Sequence, residues 1–233
     1  VVYIPDDGVP HTILTHAGLT FGRIGVNLGG ISATEIVDPP VWNAETGTWD
    51  DPYTGGRYAY SGVEPNALPL LRTVLYDTTS LREAVSIVKK AQMLRPLTML
   101  LSDGRNEMRG ARVKVLPGGL VLEERYDLAL SDFNIANARG VVYGTNTVLQ
   151  PALSEALSGL LDPNMSFADM IGIANTEPFA QAGANAANVV VDGSNLNIFV
   201  SIARQGAGGE YLDAFKNIDF NNPDYVNMQL LLP

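Results

Sequence analysis

Hydrophobic positions along the chain change period several times, and the changes divide it into elements. Val1–Ile4 is a β-rich run halted at Pro5-Asp6-Asp7-Gly8, a turn signal. His11–Thr15, Leu19–Asn27 and Ile31–Val37 follow as strand-like runs, with Gly29-Gly30 between the last two. They predict an antiparallel meander. The period then turns helical. Leu70, Leu71, Val74 and Leu75 share one face of a helix that Asn66 can cap. Leu81, Ala84, Val85, Val88 and Ala91 form the apolar stripe of a second. Ser80 with Glu83 three residues on makes a capping box: the serine oxygen accepts from the N3 amide, and the glutamate returns the bond. Pro96 ends that stretch.

Alternation resumes at Leu97–Ser102 and Ala111–Leu116, around an Asp103-Gly104 turn. Leu120–Glu124 and Gly140–Tyr143 extend the same pattern. Pro151–Leu161 and Ser166–Ala174 read as helices, the second with Ser166 as cap and Asp169 at N3. Ala187–Asp192 and Leu196–Ile202 form a hairpin about Gly193-Ser194, and the tail from Asn221 is irregular until Met228–Leu232. Asp38–Glu64 contains Pro39-Pro40, both tryptophans, Asp50-Asp51-Pro52 and Gly55-Gly56. It reads as a long surface loop, suited to a binding-site lid or to packing on the body or a subunit contact. Strands, helix pair, strands, helix pair, strands lacks strict βαβ alternation. The expected fold is α+β: a four-layer αββα sandwich of two mainly antiparallel sheets flanked by helix pairs, in one domain.

Composition narrows the function. Fifteen Lys and Arg stand against 25 Asp and Glu, and no basic run exceeds Lys89-Lys90. Nucleic acid and anionic membrane are therefore not expected as partners. No apolar run reaches the ~18–20 residues needed to cross a bilayer. The absence of cysteine excludes disulfides, thiolate metal sites and a thiol nucleophile in this chain. An acidic, Asn-rich, Lys-poor composition leans toward an exported protein. Other chemistry finds little support. His11 and His16 are the two histidines, and no Gly-x-Ser-x-Gly elbow accompanies them for a serine triad. Gly206-Ala207-Gly208-Gly209 lacks the Gly-Lys-Ser/Thr ending of a phosphate loop. Asp38, Asp50 and Asp51 lack EF-hand spacing. No metal or cofactor is implied.

Four stretches carry a family likeness. They are Ala17-Gly18-Leu19 with Gly25–Ile31 and Glu35; Pro69–Leu75 leading into Ser80–Val85; Leu100–Arg105; and Asn188–Asp192 with Leu196–Val200 and Tyr211–Phe215. In this order the chain resembles the acyl-coenzyme A:6-aminopenicillanate acyltransferase family of autoproteolytic, N-terminal-nucleophile hydrolases, related in fold to choloylglycine hydrolases. The resemblance implies a precursor that cuts itself and a freed N-terminal residue that attacks an amide or thioester. Its α-amine, with a pKa near ~8, acts as base. It implies a small acyl-amine or thioester substrate.

The same resemblance suggests site residues. Asn146, in Tyr143-Gly144-Thr145-Asn146, matches an oxyanion-hole asparagine, although the flanking histidines of the family pattern are missing. Arg204 matches a late arginine that could orient an acyl carboxylate. Glu35, Asn27 and Trp42 are candidate substrate contacts, with Asn27 better suited to a tight turn. The family's nucleophile and the ~25–30 residues after it (a spacing taken from the resemblance) have no counterpart, and Val1 cannot attack. The expected partner is therefore an upstream nucleophile-bearing segment or subunit. A non-catalytic module that keeps the fold and assembles into a homo-oligomer is the alternative.

Overall fold

The computed structural model describes residues 2–15, 22–36, 41–50, 67–93, 97–116, 121–124, 155, 166–174, 187–202 and 216–219. Among them, seven antiparallel strands form one sheet in the order β1-β2-β3-β4-β7-β8-β9. These strands are β1 (Val2–Tyr3), β2 (His11–Leu14), β3 (Ile24–Asn27), β4 (Ile31–Ile36), β7 (Leu97–Asp103), β8 (Arg109–Val115) and β9 (Val121–Glu124). A second sheet holds β10 (Ala187–Asp192), β11 (Asn197–Ile202) and β12 (Lys216–Asp219), again antiparallel. The β3 strand begins at Ile24, later than the Leu19 expected from the apolar run.

The Asp38–Glu64 stretch is not structureless. β5 (Val41–Asn43) and β6 (Thr48–Asp50) pair as a small hairpin, with Trp42 opposite Trp49. Asn43 sets its turn: Nδ2 donates to Asp50 Oδ2 at 2.7 Å, and Oδ1 accepts from Glu45 N at 3.0 Å. Gly47 takes φ 63°, a value glycine adopts without strain. The Pro and Gly clusters on either side obscured a strand pair only three residues long. β12 had no sequence expectation either, because Lys216-Asn217-Ile218-Asp219 carries a single apolar residue.

Helix α1 (Ala67–Asp77) and helix α2 (Leu81–Lys90) cover one face of the large sheet. Pro69 is tolerated because it sits in the first turn, where amides lack intrahelical partners. The capping box at α2 is present: Ser80 Oγ accepts from Glu83 N, and Glu83 Oε2 accepts from Ser80 N. The Thr79 amide, donating to the same carboxylate, is the main cause of a lowered Glu83 pKa. Helix α3 (Phe167–Ala174) contacts β10 and is capped the same way by Ser166 and Asp169. The other expected helix, Pro151–Leu161, and the expected strand at Gly140–Tyr143 lie outside the described residues.

Strand parity then sorts the core. Tyr3, Ile13, Ile31, Ala33, Met99, Leu101, Ala111, Val113 and Val115 all point toward α1 and α2. Each fully buried aliphatic side chain contributes roughly 1.5–3 kcal/mol by leaving water. The opposite face of the sheet meets β10 and β11. Val26 packs there with Leu196 and Ile198, flanked by Val2, Val189 and Val191.

Three turns bind the two sheets at one end. Asp103-Gly104-Arg105-Asn106 and Asp192-Gly193-Ser194-Asn195 are the same turn used twice. In each, the aspartate Oδ1 accepts from the amides two and three residues on, at 2.8–3.0 Å. The tips touch so closely that a Cβ on Gly104 would lie 2.5 Å from the Gly193 carbonyl carbon. Ser194 Oγ donates to Gly104 O at 2.7 Å, and Gly104 N donates to Gly30 O at 3.0 Å. Arg105 donates to Leu28 O and Ser194 O. The sheets are thus clasped where β4, β8 and β11 begin. The far ends of these strands, at Ile36, Val115 and Ile202, lie away from the clasp.

Candidate functional site

The inner face of the large sheet divides in two. Its β1–β3 half is mainly apolar, Thr12 excepted, and meets the second sheet through Val2 and Val26. Its β4–β8 half is polar. Register places Ser32, Ser102 and Gly110 in one row nearest the clasp. Thr34, Leu100 and Arg112 make the next row, and Ile36, Thr98 and Lys114 the outermost. These positions alternate with the helix-facing aliphatics, so their side chains leave the opposite face.

This polar half is not a solvated surface. Lys114 is 2% exposed and Thr98 1%. Thr34, Ser102 and Arg112 are half-buried. The Thr98 hydroxyl has no hydrogen-bond partner, nor does that of Thr12 on β2, three strands away in the sheet. The hydroxyls of Ser32 and Ser102 bond each other across β4 and β7. Hydroxyl donors and two cations on one enclosed face can hold a polar or anionic group and favour developing negative charge. They lack an attacking group joined to a base. His11 shares the parity of Ile13 and faces the helices, so it cannot serve these serines.

The sequence candidates fare differently. Asn146 and Arg204 lie outside the described residues, as does His16. Trp42 sits in β5, opposite Trp49. Asn27 is fully buried, and its amide is committed to the fold. Nδ2 donates to Leu75 O at 2.9 Å and Thr78 O at 2.8 Å, while Oδ1 accepts from Ile31 N at 3.0 Å. It ties the β3–β4 turn to the end of α1, which matches the tight-turn reading. Glu35 has the parity of Ile31 and Ala33 and so belongs to the helix side, with Arg23 Nε 3.9 Å away. The structure does not bring Glu35 and Asn27 to the inner face.

Sequence reading missed Thr98, Arg112 and Lys114. In Arg109-Gly-Ala-Arg-Val-Lys-Val115 the cations alternate with small aliphatics, the usual signature of a strand with one face in water. Only the burial of Thr98 and Lys114 in the folded chain changes the meaning. Among the described residues, no group of three His, Asp or Glu could hold a metal ion.

No protein-family model matches the sequence, and no curated protein does. Solved structures do. The two antiparallel sheets and their helices have counterparts in solved structures of low sequence identity. The Caenorhabditis elegans ortholog of N-acylethanolamine-hydrolyzing acid amidase superposes with a TM-score of 0.56 at 14% identity, over 83% of this chain and 79% of that one. A mutant of the conjugated bile acid hydrolase from Clostridium perfringens gives 0.53 at 12% identity, over 91% and 77%. Both neighbours are hydrolases. At these identities the likeness is one of fold.

Proposed function

We propose that this chain is the large part of an N-terminal-nucleophile amidohydrolase or acyltransferase whose attacking residue comes from upstream of Val1. The observation that carries this reading is the fold, which two amide-cleaving hydrolases share across more than three quarters of their lengths. The ordered likeness to the acyltransferase-like family supports the narrower assignment. In the proposed architecture α1 and α2 form one outer layer, the two sheets the middle, and α3 belongs to the other.

The chemistry follows from the nucleophile. Its oxygen or sulfur bonds to the carbonyl carbon of an amide or thioester, and its own α-amine takes the proton. The carbonyl oxygen becomes an oxyanion, which Asn146 would bind. One such donor is worth about 3–4 kcal/mol. The amine leaves with the proton from the α-ammonium. Water or a second amine then releases the acyl group. Arg204 would orient an acyl carboxylate, and the inner-face residues Thr34, Thr98, Arg112 and Lys114 would line the floor beneath it. Trp42 would contribute from its hairpin.

The test uses the complete gene product and the chain from Val1 in parallel. A thiol- or hydroxyl-directed acylating probe should label the complete product at its new N-terminus and leave the shorter chain unlabelled. A complete product that takes up no probe and turns over no acyl-amine substrate overturns the assignment.

A second reading has its own support. The β5–β6 hairpin carries an exposed turn at Ala44–Gly47 and sets Trp42 and Trp49 in register on three-residue strands. Such a finger suits a contact between copies of the chain, with the fold serving assembly instead of turnover. Light scattering that finds a monomer at micromolar concentration removes this reading.

A further inference from the structure

His11 is fully enclosed, yet it lies next to a short edge strand. Its Nδ1 is 2.8 Å from the carbonyl oxygen of Val9, so Nδ1 carries the hydrogen and donates. That leaves Nε2 as the bare nitrogen, and Nε2 is buried with no hydrogen-bond partner. Tyr3 of β1 stacks on the ring at 5.0 Å, and Tyr76 of α1 meets it edge-on at 6.3 Å.

The same residues fasten the segment between β1 and β2 to α1. Val9 N donates to Tyr76 O at 2.8 Å. The Tyr76 hydroxyl donates to Asp7. Gly8, at φ 79°, lies flat on the Tyr76 ring, where a Cβ would come within 2.6 Å of Cζ. Pro10 O accepts from Leu28 N at 2.9 Å. β1 itself has only two residues in register, Val2 with Thr12 and Tyr3 with His11.

We propose that His11 is a pH-sensitive latch: neutral, it holds Val2–Pro10 against α1, and taking up a proton in mild acid releases that segment. A second proton would sit on Nε2, turning it into a donor with no acceptor inside a closed site. The charges around it do not offset this. Arg72 of α1 lies over the Tyr3 ring, 4.8 Å from its centroid, and adds a like charge. Asp7 and Asp77 act on the Tyr76 phenol, and β3 offers only the neutral Asn27 in register. Stacking of a charged imidazole on Tyr3 returns part of the loss. Opening the segment returns the rest, because solvent then reaches Nε2. Burial accordingly sets the His11 pKa below its ordinary 6.5, and Arg72 pushes the same way.

Release reaches the sheet interior, since Val2 packs with Val26 between the layers. Resting on the function proposed above, β1 is also the junction by which an upstream nucleophile-bearing segment joins this chain. Acid would loosen that junction.

Hydrogen exchange read by mass spectrometry tests the latch without any turnover, so its outcome is separate from that of the acylation test. The full chain is compared at about pH 7.5 and about pH 5, with rates corrected for intrinsic chemistry. Protection of residues 2–10 should fall about tenfold or more in acid while residues 81–90 keep theirs. His11→Asn can still donate to Val9 O but takes no proton, so its protection should not change with pH. Arg72→Met should move the midpoint of release to higher pH. Protection of 2–10 that ignores pH, or falls equally in 81–90, overturns the proposal. So does an undiminished pH response in His11→Asn. If that variant does not fold, Arg72→Met decides, and a midpoint left in place or lowered counts as refutation.

Discussion

The two faces of the seven-stranded sheet are built to different rules. The side toward α1 and α2 is mainly aliphatic from Ile13 across to Val115, interrupted by His11, Asn27 and Glu35. The side toward β10 and β11 is aliphatic only over β1–β3 and carries Ser32, Thr34, Thr98, Ser102, Arg112 and Lys114 beyond. Burying hydroxyls without partners lowers stability, because each gives up water and gains nothing. The helix side carries the larger apolar core, and the inner side carries the proposed site.

The comparison can be broken most severely on the helix side, at Asn27. Asn27→Ala would strip partners from Leu75 O, Thr78 O and Ile31 N together. The expected loss is about 3–5 kcal/mol, from unmade bonds in a buried site. Urea unfolding measures it, and a loss below about 1 kcal/mol would deny Asn27 its fastening role.

Leu75→Ala comes next, at about 3 kcal/mol from lost burial and the cavity left behind. The same titration reads it. A smaller loss than that of an exposed substitution such as Arg82→Ala would contradict the packing described here.

The third effect depends on pH. The His11 pKa is lowered by burial first and by Arg72 last, against a raising contribution from the Val9 hydrogen bond. The unfolded chain binds this proton near 6.5 and the folded chain only at lower pH. Stability from this group is therefore complete above 6.5 and declines as pH falls toward the folded value. Melting temperature should fall as pH is lowered through that window for the native chain, and fall less for His11→Asn.

The smallest effect has the opposite sign and sharpens the contrast. Thr98→Val removes a buried hydroxyl without a partner and keeps the shape. It should raise stability by up to about 1 kcal/mol. If the proposed site is right, it should also weaken acyl-amine turnover by the complete product. Destabilisation on Thr98→Val would mean that this hydroxyl serves the fold.

Much of the architecture was legible in the residues. The capping boxes at Ser80–Glu83 and Ser166–Asp169 announce helix starts because their bonds form within four residues. The stripe Leu81, Ala84, Val85, Val88 and the runs around Asp103-Gly104 and Gly193-Ser194 gave helices and hairpins by period alone. Residues separated by dozens of positions were another matter. Asn27 was suited to a turn, but its bonds to Leu75 and Thr78 depend on where α1 docks. Glu35 offered a carboxylate, and only the register with Met99 shows that it faces the helices.

The sequence by itself determined the local elements, their caps and the acidic, cysteine-free surface chemistry, because those depend on neighbours along the chain. Tertiary structure alone decided which strand face was covered twice. Arg112 and Lys114 obey the alternation of a strand half in water, yet in the folded chain Lys114 is buried and Arg112 half-buried. Period fixes which side chains share a face; what lies over that face is set by contacts between distant segments.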